Sequence, residues 1–264
     1  MSDFSGTTLQ SLEDVTLIVP AAGIGRRMSG SKPKQYLSIA GKPILAHTLQ
    51  KLLQLNPLKI VLVVSAQDRE HESIDLVDQC DVVIGGSTRA ASVTNGLASL
   101  NCGDNDWVMV HDCARPCVRT ADILNLYNRL HDTDVGGILA VPVSDTLKKI
   151  VASHVSLFPE QSHRKSLDDT SHAPIKETIE IQETLDRSEL WLAQTPQMFR
   201  FGMLKQALAQ AIESAIDITD EASAIEASGH SPQIVVGSKD NIKITTQEDL
   251  LYAAFILSQQ ESIN

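Results

Sequence analysis

Four cations, Arg26, Arg27, Lys32 and Lys34, fall within nine residues of this chain, directly behind the small residues Ala21, Ala22, Gly23 and Gly25. A loop with almost no side chains lets a ligand approach the bare backbone. Its exposed N–H groups can form a concavity that binds an anion. Amides rimmed by cations suit a polyphosphate, although Gly-x-Gly alone also occurs as a plain strand-to-helix turn. The loop is not a dinucleotide fingerprint, because Met28 stands where a third small residue belongs and the ribose-binding acid is missing. A phosphate-binding P-loop needs Gly-Lys-Ser/Thr after four spacer residues, and none occurs here.

Three other stretches carry candidate chemistry. Asp112, in His111-Asp112-Cys113-Ala114-Arg115-Pro116, follows the apolar run Trp107–Val110. Open α/β sheets bind ligands outside the carboxyl ends of their strands, and one or two carboxylates plus substrate phosphates commonly hold Mg²⁺. The alternative for Asp112 is a helix cap or a pair with Arg115. In Gly85–Val93, the backbone at Gly86 and the hydroxyl of Ser92 can read a base edge, or can simply start the helix that includes Arg89. Lys243 lies between Ile242 and Ile244, and spacing alone points it to solvent. Arg187, next to Asp186, reads alone as a solvated charge on a hairpin.

The elements that must hold these residues follow an alternating pattern. Apolar strand-like runs at Val15–Val19, Lys59–Ser65, Asp81–Ile84, Trp107–Val110, Gly137–Val143 and Gln233–Val236 alternate with segments of helical period. The helices are expected near Pro43–Leu55, Arg89–Leu100, Asp122–His131, Gly202–Ser214, Asp220–Ser228 and Gln247–Ser258. This is the pattern of an α/β fold, a Rossmann-like, mainly parallel sheet with helices on both faces. Asn241–Ile244 reads as a short extended piece. Between about 147 and 179 the pattern breaks into polar sequence flanked by strand-like pieces, Thr146–Val151 and Thr178–Thr184, which fits a protruding β-hairpin arm. The expected organisation is an extension at 1–13, a main domain at 14–145 and 195–264, and an arm at 146–194 with a polar insertion at about 152–177.

Composition narrows the function. At 264 residues the chain can bury a large core. A net charge of −11 with 4% aromatics argues against a nucleic-acid surface. No apolar run reaches the roughly 20 residues that span a bilayer, and the start lacks a signal-peptide pattern, so a cytoplasmic protein is expected. Four cysteines without a Cys-x-x-Cys pair read as reduced thiols, and Cys113 and Cys117 have no matching His/Cys cluster for a metal.

Pro20-Ala21-Ala22-Gly23-Ile24-Gly25-Arg26-Arg27-Met28 with Pro33-Lys34-Gln35-Tyr36-Leu37 resembles the signature of nucleotidyltransferases that activate a sugar or polyol phosphate. More narrowly, it is similar to the 2-C-methyl-D-erythritol 4-phosphate cytidylyltransferase family of the non-mevalonate isoprenoid pathway, over about residues 15 to 258. The resemblance implies CMP transfer from CTP to a polyol phosphate. It assigns Arg27 and Lys34 to catalysis and Ala21, Ala22, Gly23, Gly25, Gly86, Arg89 and Ser92 to the nucleotide. Asp112, assisted by Asp240, would hold Mg²⁺. Lys243, Thr146, Thr195, Arg115 and Arg187 would position the acceptor, Arg187 reaching across a homodimer formed through the arm. Cys113 replaces a common Ala, Ser87 stands where an acid is frequent, and the arm is longer than usual. A relative acting on ribitol 5-phosphate or a similar polyol phosphate is the rival.

Overall fold

Side-chain alternation along the buried strands decides where the helices pack. In the computed structural model, which describes residues 11–23, 33–151 and 180–263, the first half of the chain runs β1 (Val15–Pro20), β2 (Ser38–Ile39), β3 (Lys42–Pro43), α1 (Ile44–Leu53), β4 (Lys59–Val64), β5 (Asp81–Ile84), α2 (Arg89–Ala98), β6 (Trp107–Val110) and α3 (Thr120–Leu130). It continues with β7 (Gly136–Pro142), β8 (Leu147–Ile150), β9 (Ile181–Leu185), β10 (Trp191–Arg200), α4 (Phe201–Glu213), α5 (Glu221–Ala227), β11 (Gln233–Val236) and α6 (Gln247–Ile263). Seven strands form one sheet in the order β11-β7-β10-β6-β1-β4-β5. β1 pairs in parallel with β4 and β6, β4 with β5, and β11 with β7, while β10 runs antiparallel to β6.

Successive strand residues point to opposite faces. Leu17, Leu62 and Met109 accordingly pack in one cluster with Leu45, Leu49 and Leu52 of α1 and Ile123 and Leu126 of α3. The neighbours Ile18, Val61, Val63, Val108 and Val110 pack in a second cluster with Val93 and Leu97 of α2, Leu204 of α4 and Ile225 of α5. Both faces of the central strands are therefore covered, which is why these strands read as unbroken apolar runs rather than alternating ones. Each side chain fully buried in this way contributes about 1.5–3 kcal/mol of transfer free energy.

Three expectations need correcting. β10 is a strand where sequence reading leaves a connection: Pro196 and the polar residues Gln194, Thr195 and Gln197 hide it, since Pro normally marks an edge or a break. Those three polar residues are buried, and their side chains are hydrogen-bonded rather than solvated. Residues 241–244 form no strand. The segment is a loop pinned by Ile244 N–H donating to the Ala114 carbonyl at 2.9 Å, with Ile244 buried among Ile39, Ile44, Cys117, Ala253 and Leu257. Leu12, assigned to the extension, is fully buried, and its N–H donates to the Leu55 carbonyl at 2.8 Å.

Residues 1–141 with 193–264 make one compact unit, and residues 142–192 a second. The second unit is an antiparallel ribbon of β8 and β9, with a register shift at Lys149/Ile150 and a Lys149–Glu183 ion pair at 2.9 Å. Ile150, Ile181, Leu185, Trp191 and Leu192 are exposed in it. An isolated two-stranded ribbon is marginally stable in water. The expected polar insertion at about 152–177 lies outside the described residues. Among the described residues, no helix is long and apolar enough to cross a membrane.

Gly136 opens β7 with φ +101°, and a Cβ there would sit 2.1 Å from the Met198 carbonyl oxygen on β10. Gly136→Ala is expected to cost about 2–3 kcal/mol through strain and overlap, lowering the thermal midpoint by about 5–10 °C. An unchanged midpoint in thermal unfolding would contradict this β7–β10 packing.

Candidate functional site

A cleft of about 430 Å³ opens at the carboxyl ends of the central strands. Its first wall is Pro20 to Gly23, directly after β1. Ala21 N–H donates to the Val63 carbonyl at 2.7 Å, extending the β1–β4 ladder by one step, and the Ala21 carbonyl accepts from Gln35 Nε2 at 2.8 Å. The buried Gln35 thereby ties the turn Lys34–Tyr36 to the small-residue loop and fixes the base of Lys34. Tyr36 reinforces the turn by donating its hydroxyl to Asp68 at 2.5 Å, and burial pushes its phenol well above the ordinary value. Lys34 Nζ donates to the Ile244 carbonyl at 3.3 Å, and Lys34 lines the cleft.

The second wall is the turn from Gly86 to Arg89 ahead of α2, with Ser92. Gly85 permits its close approach: a Cβ there would lie 2.7 Å from Ser92 Oγ and 2.8 Å from Ala22 Cβ. Ser92 Oγ donates to the Thr88 carbonyl at 2.9 Å and accepts the Gly86 N–H at 3.1 Å, so this hydroxyl shapes the turn. Thr88 caps the helix by accepting the Ala91 N–H. The first turn of α2 thus presents backbone N–H groups and the positive end of its dipole to the cleft.

The third wall carries the charge. His111 N–H continues the ladder to the Ile18 carbonyl, and Asp112 N–H donates to Thr195 Oγ1 at 3.0 Å. His111 Nε2 lies 3.2 Å from the Arg115 carbonyl, which can only accept, so Nε2 carries the proton. His111 Nδ1 then accepts from the Thr195 hydroxyl at 3.1 Å. Complete burial pushes the His111 pKa down to about 4, which keeps the ring neutral near pH 7.

The Asp112 carboxylate, 6% exposed, meets Arg89 Nε at 2.9 Å through Oδ1 and Lys243 Nζ at 2.7 Å through Oδ2. Arg115 Nε stands 3.9 Å from Oδ2. Burial alone would raise its pKa, but Arg89 and Lys243 outweigh that and hold it well below the usual carboxylate range. The remaining edge of Arg89 is bidentate to Glu221, at 2.7 and 2.9 Å. Burial works against the Arg89 charge, and Glu221 and Asp112 together raise its pKa despite that. Cys113 lines the same wall, and burial pushes its thiol up to about 12, so it is a neutral thiol near pH 7.

Naked amides, a helix N-terminus, two lysine amines and one ionised carboxylate suit a polyphosphate chain. Among the described residues, no group of three His, Cys, Asp or Glu side chains converges as a cation cage. A lone ionised carboxylate beside an anion site still fits Mg²⁺, which takes most of its ligands from phosphate oxygens and water.

Of the residues singled out in the sequence, Ala21, Ala22, Gly23, Lys34, Gly86, Arg89, Ser92, Asp112 and Lys243 share this cleft. Gly25 and Arg27 lie outside the described residues. Thr195 and Arg115 support Asp112 and are not among the lining residues. Asp240 pairs with Arg119 at 2.6 Å and is not in the lining either. Thr146 and Arg187 belong to the second unit, where Arg187 Nη1 donates to the Ser144 carbonyl. Lys243, itself still exposed, reaches into the cleft to pair with Asp112, because burial of Ile244 fixes the loop's direction. Sequence reading missed Gln35, Gln197 and Glu221. The acid pair Asp220-Glu221 reads as ordinary first-turn charge, which gives no hint that Glu221 is buried.

Known proteins resemble this chain over most of its length. The family described as IspD: 2-C-methyl-D-erythritol 4-phosphate cytidylyltransferase matches residues 15–169 and 165–259. A 2-C-methyl-D-erythritol 4-phosphate cytidylyltransferase from Mannheimia succiniciproducens is 42% identical over 249 residues, covering 93% of this chain and 97% of its own. Its counterpart from Alteromonas mediterranea is 44% identical over 252 residues, covering 94% of each chain. The crystal structure of the Francisella tularensis enzyme of the same name superposes with a TM-score of 0.70 at 35% identity, covering 92% of this chain and 99% of that one.

The state of His111 has a measurable consequence. A base whose folded pKa lies near 4 and whose unfolded pKa is about 6.5 binds its proton first in the unfolded chain. Its stabilising contribution is complete above about pH 6.5 and is lost as pH falls toward 4, by about 3 kcal/mol in all. His111→Asn is expected to be less stable than the wild type at pH 7, and the gap should narrow by about that amount at pH 4. Urea unfolding at the two pH values measures this, and a constant gap would refute a buried neutral ring.

Proposed function

The chain belongs to the 2-C-methyl-D-erythritol 4-phosphate cytidylyltransferase family, and from that premise we propose how its cleft moves CMP from CTP to 2-C-methyl-D-erythritol 4-phosphate and releases pyrophosphate. The observation that carries this reading is the convergence of Lys34, Asp112 and Lys243 with the bare Ala21–Gly23 backbone in one cleft. The cytosine lies between the Ala21-Ala22 backbone and the Gly86 turn. Its triphosphate follows the amides past Gly23 toward Lys34 and the N-terminus of α2.

The acceptor's phosphate oxygen is already an anion, so its attack on the α-phosphorus needs no general base. This agrees with a neutral His111 whose two nitrogens are both engaged. The obstacle is electrostatic: two anions must meet, and charge on the equatorial oxygens must be held. Lys34 and, by sequence position, Arg27 hold that charge. Lys243 holds the attacking phosphate. Asp112 would bind Mg²⁺, which when present neutralises part of the triphosphate's charge.

Arg187 contributes to the acceptor site from the partner subunit's arm in a homodimer. The apolar side chains exposed on the second unit, Ile181, Trp191 and Leu192 among them, favour a covered surface. The four unpaired cysteines suit a reducing cytoplasm.

A cation about 4 Å from developing negative charge is worth roughly 4 kcal/mol at intermediate dielectric. Lys34→Ala is therefore expected to lower kcat by about 10²–10³ with the fold intact. Pyrophosphate release from CTP measures it, and near-normal turnover would remove Lys34 from the mechanism. Run with several polyol phosphates, the same assay tests the acceptor; faster turnover of ribitol 5-phosphate would reassign it. Mixing inactive Asp112→Ala and Arg187→Ala proteins should restore part of the activity if sites are shared between subunits. No restoration after subunit exchange would rule out the shared site.

A further inference from the structure

Arg89 is clamped between two acids that sit on different elements. Its Nε donates to Asp112 at the end of β6, while Nη1 and Nη2 donate to Glu221 at the first position of α5. A planar guanidinium bonded along two edges has no rotational freedom left. Glu221 is 1% exposed and is not among the residues lining the cleft, so it touches no substrate there.

Glu221 is itself held in place. Gln197, buried on β10, donates Nε2 to Asp220 Oδ2 at 2.8 Å and accepts the Ala222 N–H on Oε1 at 2.9 Å. Asp220 caps α5 by accepting the Ser223 N–H at 2.9 Å, and the Ser223 hydroxyl accepts the Asp220 N–H. Gln197 stands opposite Val110 in the β10–β6 pairing, two residues before Asp112. A closed circuit of strand pairing, backbone and hydrogen bonds therefore leaves the end of β6, crosses β10 and α5, and returns through Glu221 and Arg89 to the Asp112 carboxylate.

We infer that Glu221 is a positioning residue for the transfer reaction: by fixing the Arg89 guanidinium, it sets where Asp112 presents its carboxylate in the cleft. This rests on the cytidylyltransferase reading above. Without Glu221, two partly buried N–H donors of Arg89 lose their acceptors. The nearest remaining carboxylate is Asp112, and the guanidinium turns toward it. Asp112 is then drawn from Lys243 and from the cleft, although every cleft-lining side chain is still present.

The test compares turnover by the full-length wild type, Glu221→Gln, Arg89→Gln and the double variant, with CTP affinity from calorimetry. Misplacement of a reacting arrangement by about 1 Å costs on the order of 10² in rate, and that loss is expected in kcat for Glu221→Gln. CTP binding should stay within about threefold of wild type, because Glu221 makes no contact in the cleft. Since Glu221 acts through Arg89, the double variant should be no slower than Arg89→Gln alone. A merely structural role would instead give multiplicative losses. If Glu221→Gln does not fold, Glu221→Asp decides the matter: it keeps the charge but is one methylene shorter, and a loss of about tenfold in kcat is expected. Wild-type kcat in a folded Glu221 variant, or multiplicative losses in the double variant, overturns the inference and leaves the functional reading standing. Failure of the wild type itself to release pyrophosphate overturns that reading instead.

Discussion

A buried carboxylate must be compensated, and the environment of Asp112 is organised by that requirement. Removing one partner from a buried ion pair typically costs about 3–5 kcal/mol, because an uncompensated charge stays behind. Asp112 meets the requirement with Arg89 on one oxygen and Lys243 on the other. Glu221, 1% exposed, is a second buried carboxylate, and Arg89 compensates it as well. Four segments distant in sequence are thereby committed to one place: the end of β6, the start of α2, the start of α5 and the loop at 240–245. The same arrangement favours the ionised form of Asp112, the form that a divalent cation beside a polyphosphate requires.

The sequence showed the sheet more fully than the site. Runs such as Lys59–Val64 and Trp107–Val110 are apolar on both faces, so periodicity finds them with nearly correct ends. β10 escaped because its inner residues are polar and satisfied by particular partners: Gln197 by Asp220 and Ala222, and Thr195 by His111 and Asp112. No window of neighbouring residues contains those partners. Lys243 shows the same limit, since its spacing between Ile242 and Ile244 is compatible with either direction. Packing of Ile244 against Ile39 and Ile44, far earlier in the sequence, settles it. Glu221 was invisible for a related reason: an acid at a helix start has an adequate local explanation, and its burial against Arg89 is a purely tertiary fact.

The two chemistries in the cleft are built differently. The nucleotide walls are mostly backbone, and Gly85, Thr88 and Ser92 act there by shaping a turn rather than by reaching outward. Local sequence therefore carries much of that wall, and small residues at fixed offsets are its signature. The charged wall is assembled from side chains brought together over more than a hundred residues, as with Arg89 and Glu221. Family resemblance identified several of those side chains because it encodes tertiary contacts that spacing alone does not.

Net charge gives a last constraint. The chain carries −11 overall, yet its proposed substrates are anions. Long-range attraction cannot bring them in, but it is not needed: at physiological ionic strength the screening length is about 8 Å. Over that distance a phosphate entering the cleft senses Lys34, Lys243, Arg89 and the N-terminus of α2 far more than the distant acidic surface. Among these, Arg89 is balanced by Glu221 and Lys243 by Asp112. The charges of these pairs therefore largely cancel before substrate arrives, and the favourable field is local. It becomes cationic where an incoming anion or divalent ion draws one partner away from the other. A cleft built from paired charges can stay buried and stable, and still offer a positive face to the ligand that separates them.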